Sequence, residues 1–155
     1  MDREEFARRI VDAQGSMYRV ACSYLSCEQD RLDAVGEAIL KAWQKLYTLR
    51  DEQRFSTWLT RILIRECIGI QRRQKRTTPV EQVEPPQTPA TQNEELQEAL
   101  SQLPQKLRTA VVLHYMEGYS VAEIARITRT TKGAICSRLS RARIALRAAL
   151  KEEIE

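Results

Sequence analysis

The sequence predicts an all-α fold of two small helical domains joined by a proline-rich flexible linker. Three observations lead there. Apolar residues recur at helical rather than strand spacing along the chain. Glycine is rare, at 5 of 155 residues, and no stretch shows sustained alternation broken by turn pairs. Four of the five prolines fall within residues 77–94, a stretch almost without large apolar side chains. Proline removes backbone donors and disfavours helix in the residue before it, so this stretch reads as an extended tether. Its 18 residues span roughly 25 Å as a flexible chain, or about 55 Å in polyproline-like form. The expected domains are therefore 1–76 and 95–155.

Each helix has its own stripe. Leu32, Val35, Ile39, Ala42, Trp43 and Leu46 form one, and Phe55, Trp58, Leu59 and Ile62 begin another, which places both tryptophans in the core rather than on a base-stacking surface. Beyond the tether come Leu96, Leu100 and Leu103, then Leu107, Val111 and Tyr115. A last, long helix carries Ile135, Leu139, Ala142, Leu146 and Leu150.

Composition removes several function classes. Hydrophobic residues make up 43% and charged residues 30%, as in packed soluble domains. No apolar run approaches the roughly 20 residues that span a bilayer. The charged opening Met1–Arg9 has no signal-peptide h-region, so a cytoplasmic location is expected. Cys22, Cys27, Cys67 and Cys136 are scattered, and His114 is the lone histidine, within an apolar run. Neither a metal site nor a disulfide is expected from that set. There is no phosphate-cradling glycine loop and no Ser/His/Asp set, so no catalytic centre, cofactor or small-molecule substrate is expected.

Charge is distributed unevenly. Residues 1–76 hold 15 Lys/Arg against 11 Asp/Glu, residues 77–94 hold three acids and no base, and residues 95–155 hold 10 bases against seven acids. Two basic segments flank an acidic one, a pattern suited to a polyanion.

The C-terminal segment sharpens this. Gly118 can close a helix in the left-handed conformation, and Ser120 and Glu123 have capping-box spacing. A short helix with Ala122, Ile124, Ala125 and Ile127 follows, then the polar turn Thr128–Thr131, then a long helix from about Lys132. That is the helix-turn-helix plan, whose second helix enters the major groove. From Arg126 to Lys151 there are eight bases and no acid, and phosphates would neutralise such a helix. Cys136, Ser137, Arg138 and Arg141 lie where base edges are reached, and Arg138 or Arg141 could fork onto a guanine. Arg126, Arg129 and Lys132 suit phosphates, while Arg143 and Arg147 fit a solvated surface. On these residues alone, a stand-alone duplex-binding regulator and a protein–protein adaptor also stand.

The segment Leu103-Pro104 … Arg108 … Gly118-Tyr119-Ser120, followed by Glu123-Ile124-Ala125 and Ser137-Arg138-Leu139-Ser140-Arg141-Ala142-Arg143, resembles region four of extracytoplasmic-function sigma factors of the sigma-70 family. Independently, Asp30–Trp43 and Phe55-Ser56-Thr57-Trp58-Leu59-Thr60-Arg61-Ile62 resemble region two. Gly36, Arg65 and the run Gly133-Ala134-Ile135-Cys136 stand where that family commonly has Gln, Asn and Gly-Thr-Val-Lys.

The resemblance implies a non-enzymatic factor that binds core RNA polymerase, at the clamp helices of the largest subunit and at the flap region, and directs it to promoter DNA. Asp33, Glu37 and Lys41 would dock on the clamp; the residues alone also allow a solvated face with a Glu37–Lys41 pair. The loop 47–54, with Arg50 and Arg54, would hold an unpaired base of the −10 element, and Arg61, Arg65, Arg72, Arg73 and Arg76 would lie along the duplex at its upstream edge. Arg126, Arg129, Lys132, Cys136, Ser137, Arg138 and Arg141 would read the −35 element. The linker acids would either mimic nucleic acid in the polymerase channel or keep the tether soluble. A separate anti-sigma factor, which could hold the protein at the membrane, is expected.

Overall fold

The computed structural model describes residues 1–77 and 94–154, and these are helical throughout. Seven α-helices follow one another: α1 (Arg3–Cys22), α2 (Glu28–Gln44), α3 (Phe55–Thr77), α4 (Glu94–Gln102), α5 (Gln105–Val111), α6 (Val121–Thr128) and α7 (Lys132–Ile154). Two 3-10 turns, Leu46–Thr48 and Glu52–Arg54, lead from α2 to α3, and a π-helical turn, Val112–Met116, extends α5. The expected tether lies outside the described residues except at its two ends.

Local chemistry sets these boundaries. Asp2 caps α1 by accepting the Glu5 amide at 2.8 Å, and Glu4 and Glu5 complement the helix dipole. The Arg31 guanidinium, buried, donates to the carbonyls of Leu25 and Ser26 at 2.8 and 3.2 Å and so closes the α1–α2 turn. Gly118, at φ 77°, ends the π-helical turn in the left-handed region that glycine tolerates.

Helix α3 is the axis of the molecule. Phe55, Leu59, Leu63 and Cys67 are buried along it, and it packs on α1, α2 and α6. The face that α2 presents to α3 differs from the sequence reading. Its fully buried positions are Ala34, Ala38 and Ala42, four residues apart, whereas Leu32 is 51% and Trp43 46% exposed. Small side chains let the two helices approach closely, and the larger apolar residues are rotated onto the flank. Trp43 keeps one face on Phe6, with ring centroids 5.2 Å apart. Trp58 is half-buried against Phe55.

In the C-terminal half, Ile135, Leu139 and Ala142 form the buried stripe of α7, as its period required. Tyr115 does not join the core; it is exposed, and its hydroxyl accepts from Arg143 at 3.0 Å. A small cluster of Leu100, Leu103, Val111 and Ala142 holds α4, α5 and α7 together. The remaining buried residues of this half, including Leu113, Ile124, Ile127 and Ile135, join one continuous core with those of α1–α3. The two halves therefore share a packed seam.

Candidate nucleic-acid interface

The helix-turn-helix is built by its own side chains. Ser120 Oγ accepts the Glu123 amide and the Glu123 carboxylate accepts the Ser120 amide, both at 3.1 Å, so the capping box is complete. Arg129 takes the left-handed conformation, φ 56°, at the end of α6, and the Thr130 amide donates back to the Ala125 carbonyl at 2.9 Å. Thr131 Oγ1 then accepts the Ala134 amide at 3.1 Å and starts α7. A left-handed turn at a non-glycine residue is uncommon, and it aims the first turn of α7 away from α6.

At about 100° per residue, the buried stripe of α7 leaves Gly133, Ser137, Ser140 and Ile144 opposite the core, flanked by Cys136 and Arg141. Lys132, Cys136, Ser137, Arg141, Arg143 and Arg147 are all exposed, as are Arg126 and Arg129 on α6 and the turn. Arg138 is different. It sits on the shoulder beside Leu139, is half-buried, and turns toward α3. The two arginines offered for one guanine thus point to different places.

Arg138 lines a crevice of about 520 Å³ between the halves, with Arg61 and Arg65 from α3, Lys106 from α5 and Arg129. Its floor is apolar (Ile64, Ile68, Ile124, Ile127 and Ile135), and no carboxylate lines it. Arg72, Lys75 and Arg76 are exposed on the last turns of α3, as is Arg73, while Arg50 and Arg54 are exposed around the 3-10 turns. Arg54 approaches Asp51 at 3.8 Å. This segment is pinned to α1: Arg9 donates to the Glu52 carbonyl at 2.7 Å, and the N-terminal amine meets the Glu52 carboxylate at 3.0 Å. That pairing raises the amine above its usual range. Tyr47 stands 86% exposed beside it.

On α2, Asp33 and Glu37 are exposed on one side, flanked by Leu32 and Leu40. Lys41 forms an ion pair with Glu66 of α3 rather than with Glu37, so it braces α2 against α3.

Several working residues carried no sequence signal. Arg108 is 5% exposed and has no carboxylate partner. Its guanidinium donates to the carbonyls of Ser23 and Leu103, both at 2.8 Å, and to Gln105 Oε1 at 2.8 Å. Desolvation lowers its pKa. Gln105 also donates to the Ser23 carbonyl, at 2.9 Å, and Gln71 donates to the Tyr24 carbonyl at 2.7 Å. Farther along the seam, Arg19 forks onto Glu117 at 2.6 and 3.2 Å, which raises the Arg19 pKa. The Tyr119 hydroxyl lies 2.9 Å from Thr60 Oγ1 and donates to the Ser56 carbonyl at 3.4 Å. His114 uses Nδ1 to meet the Tyr119 carbonyl at 2.9 Å and so steadies that turn. Among the described residues, no cluster has the makings of a metal site, and no helix is long and apolar enough to cross a membrane.

Comparison with known proteins agrees with this arrangement. The family profile for sigma-70 region 2 matches residues 10–77, and that for sigma-70 region 4 matches residues 93–146. The chain is 32% identical over 149 residues to RNA polymerase sigma factor SigV of Bacillus subtilis, covering 93% of this chain and 90% of that protein. It is 34% identical over 150 residues to ECF RNA polymerase sigma factor SigM of Mycobacterium tuberculosis, covering 94% and 76%. Among solved structures, the sigma factor RpoE of Bartonella quintana, in complex with the anti-sigma factor NepR, superposes with a TM-score of 0.80 at 25% identity, covering 96% of this chain and 98% of that one. The fold of CnrH, solved with the cytosolic domain of CnrY, is also similar, with a TM-score of 0.73 at 21% identity. The chain belongs to the sigma-70 family, as a non-enzymatic RNA polymerase sigma factor of the extracytoplasmic-function type.

Proposed function

We propose that this chain binds core RNA polymerase and starts transcription at promoters whose −35 element is read by α7 and whose −10 element is held and opened by the 47–54 segment and α3. The observation that carries the reading is the order of two sigma regions along one chain, the second ending in a helix whose outward face is cationic from Lys132 to Arg147. Cys136, Ser137 and Arg141 take the base edges; Arg126, Arg129 and Lys132 take phosphates. Arg138 joins the base-reading set once the seam with α3 parts. Arg50 and Arg54 hold the opened strand, and Arg61, Arg65, Arg72, Arg73 and Arg76 follow the adjoining duplex. Asp33 and Glu37, with the exposed Leu32 and Leu40 beside them, dock on the clamp helices of the largest subunit, and Lys41 keeps that face in place through Glu66. The C-terminal half meets the flap region.

The protein works in the cytoplasm and is held inactive there by a separate anti-sigma factor, as RpoE is bound by NepR; a membrane-bound partner would hold it at the membrane. The test is transcription by core polymerase on genomic fragments, with and without this protein. Discrete new transcripts beginning downstream of a shared two-part motif are expected. No gain in initiation, with no binding to core, would overturn the assignment.

A further inference from the structure

The seam between the halves is more than contact of apolar faces. Each buried polar group along it has a partner: Arg108 and Gln105 share the Ser23 carbonyl, Gln71 takes the Tyr24 carbonyl, and the Glu117 carboxylate, only 5% exposed, is forked by Arg19. Buried charge is tolerated only where hydrogen bonds replace water, so a seam satisfied in this way specifies one docked geometry. The same turn that carries Glu117 places Tyr119 over the first turn of α3, on Thr60 and the Ser56 carbonyl. A hollow of about 550 Å³ opens there, walled by Gln53, Ser56, Thr60, Glu117 and Tyr119.

We infer that, away from polymerase, the chain is shut by its own helix-turn-helix: the Glu117–Tyr119 turn, latched through Arg19, Thr60 and Ser56, covers the start of α3 beside the strand-holding segment and keeps Arg138 turned into the crevice. The inference rests on the sigma reading above and adds the regulation of those surfaces. In the latched state Arg138 lines one crevice with Arg61 and Arg65. Elements named −35 and −10 lie about 25 base pairs apart, which is about 85 Å of duplex at 34 Å per turn. Side chains that share one crevice cannot serve both, so the seam must part before the two halves engage a promoter. Affinity of the free chain for DNA is lowered by the fraction of molecules that are open.

The native thiols report this directly. Cys27 and Cys136 are exposed, one on each half, while Cys22 and Cys67 are buried. Nitroxides attached to Cys27 and Cys136 of the full-length chain are expected to give one narrow distance distribution in the free protein. Glu117→Lys, which sets two cations face to face, should lengthen and broaden it and should raise affinity for a mixed-sequence single-stranded 20-mer at least tenfold. The charge swap R19E/E117K should restore both the narrow distribution and the weak binding, which a merely unfolded variant could not do. A wild-type distribution as broad as that of E117K, an unchanged distance or affinity in E117K, or failure of the swap to restore them would each overturn the latch. Transcription with core polymerase, run on the unlabelled proteins, reports the other reading separately. E117K should initiate at least as well as wild type, and loss of initiation in wild type itself would sink the sigma assignment while the distances still decide the latch.

Discussion

Arg108 offers the sharpest test of how the two halves are held. Its guanidinium makes three bonds of 2.8 Å, to the Ser23 and Leu103 carbonyls and to Gln105, inside a site where it is almost wholly buried. Hydrogen bonds to a charged group contribute about 1.5 kcal/mol each at the lower end, or about 4–5 kcal/mol for the three. Burying a cation without a counter-ion costs something in return, and removing it relieves that cost by about 1–2 kcal/mol. Arg108→Leu should therefore destabilise the fold by about 3 kcal/mol, with a fall in Tm of about 6–12 °C for a chain of this size. Arg108→Lys keeps the charge but replaces the planar fork with a point donor, and should lie between the two. Thermal and urea denaturation followed by circular dichroism at 222 nm measure both. A loss below about 1 kcal/mol in Arg108→Leu would show that the carbonyls find other donors, and would refute the idea that this side chain ties α5 to the end of α1.

Other consequences can be checked independently. Arg141→Ala should cost about 1–3 kcal/mol at one base pair of the −35 element and leave other positions unaffected, whereas Arg147→Ala should weaken binding evenly and flatten the salt dependence by about one unit, both read by binding titrations on point-varied promoter duplexes. The double change D33K/E37K should lower affinity for core polymerase at least tenfold in a titration with labelled core, with helicity unchanged because both residues are exposed. Burial pushes the Cys22 and Cys67 thiols up to about 11 and about 12, above the ordinary 9.0. An aromatic disulfide reagent near neutral pH should thus modify Cys27 and Cys136 in the native protein and all four thiols only in denaturant. The same shifts set a sign. Each folded-state value is raised, so the unfolded chain loses these protons first, and stability should fall as pH rises from about 9 toward 12, as pH-dependent urea unfolding would reveal.

Much of this architecture was legible from residue order. The Ser120–Glu123 spacing announced a capping box that is present with both bonds, and the seven-residue steps of Ile135, Leu139, Ala142 and Leu146 gave the correct inner face of α7. The same geometry could have separated Arg138 from Arg141, because a residue next to Leu139 lies on the shoulder of the buried stripe. Helix α2 misled because two stripes about 100° apart both have helical period. The large residues Leu32 and Trp43 drew attention, while the alanines at 34, 38 and 42 made the close contact with α3. Arg31, Arg108 and Arg19 could not be found this way. A charged residue reads as surface unless its partners are known, and here the partners are mostly carbonyls, which every residue possesses. The seam itself was hidden for a related reason: apolar periodicity says which face is buried, not which half of the chain buries it.

The π-helical turn at Val112–Met116 bears on how easily such a protein can change. Its five-residue spacing, seen in the Glu117 amide reaching back to the Val112 carbonyl at 3.0 Å, amounts to one residue inserted into an α-helix. Loss of a single codon there would return the segment to ordinary α pitch and swing Glu117 by about 100°, away from Arg19. The capping box and α7 lie downstream and would stay intact. Lineages could thus gain or shed the coupling between promoter-reading halves through one in-frame indel, without touching any residue that meets DNA.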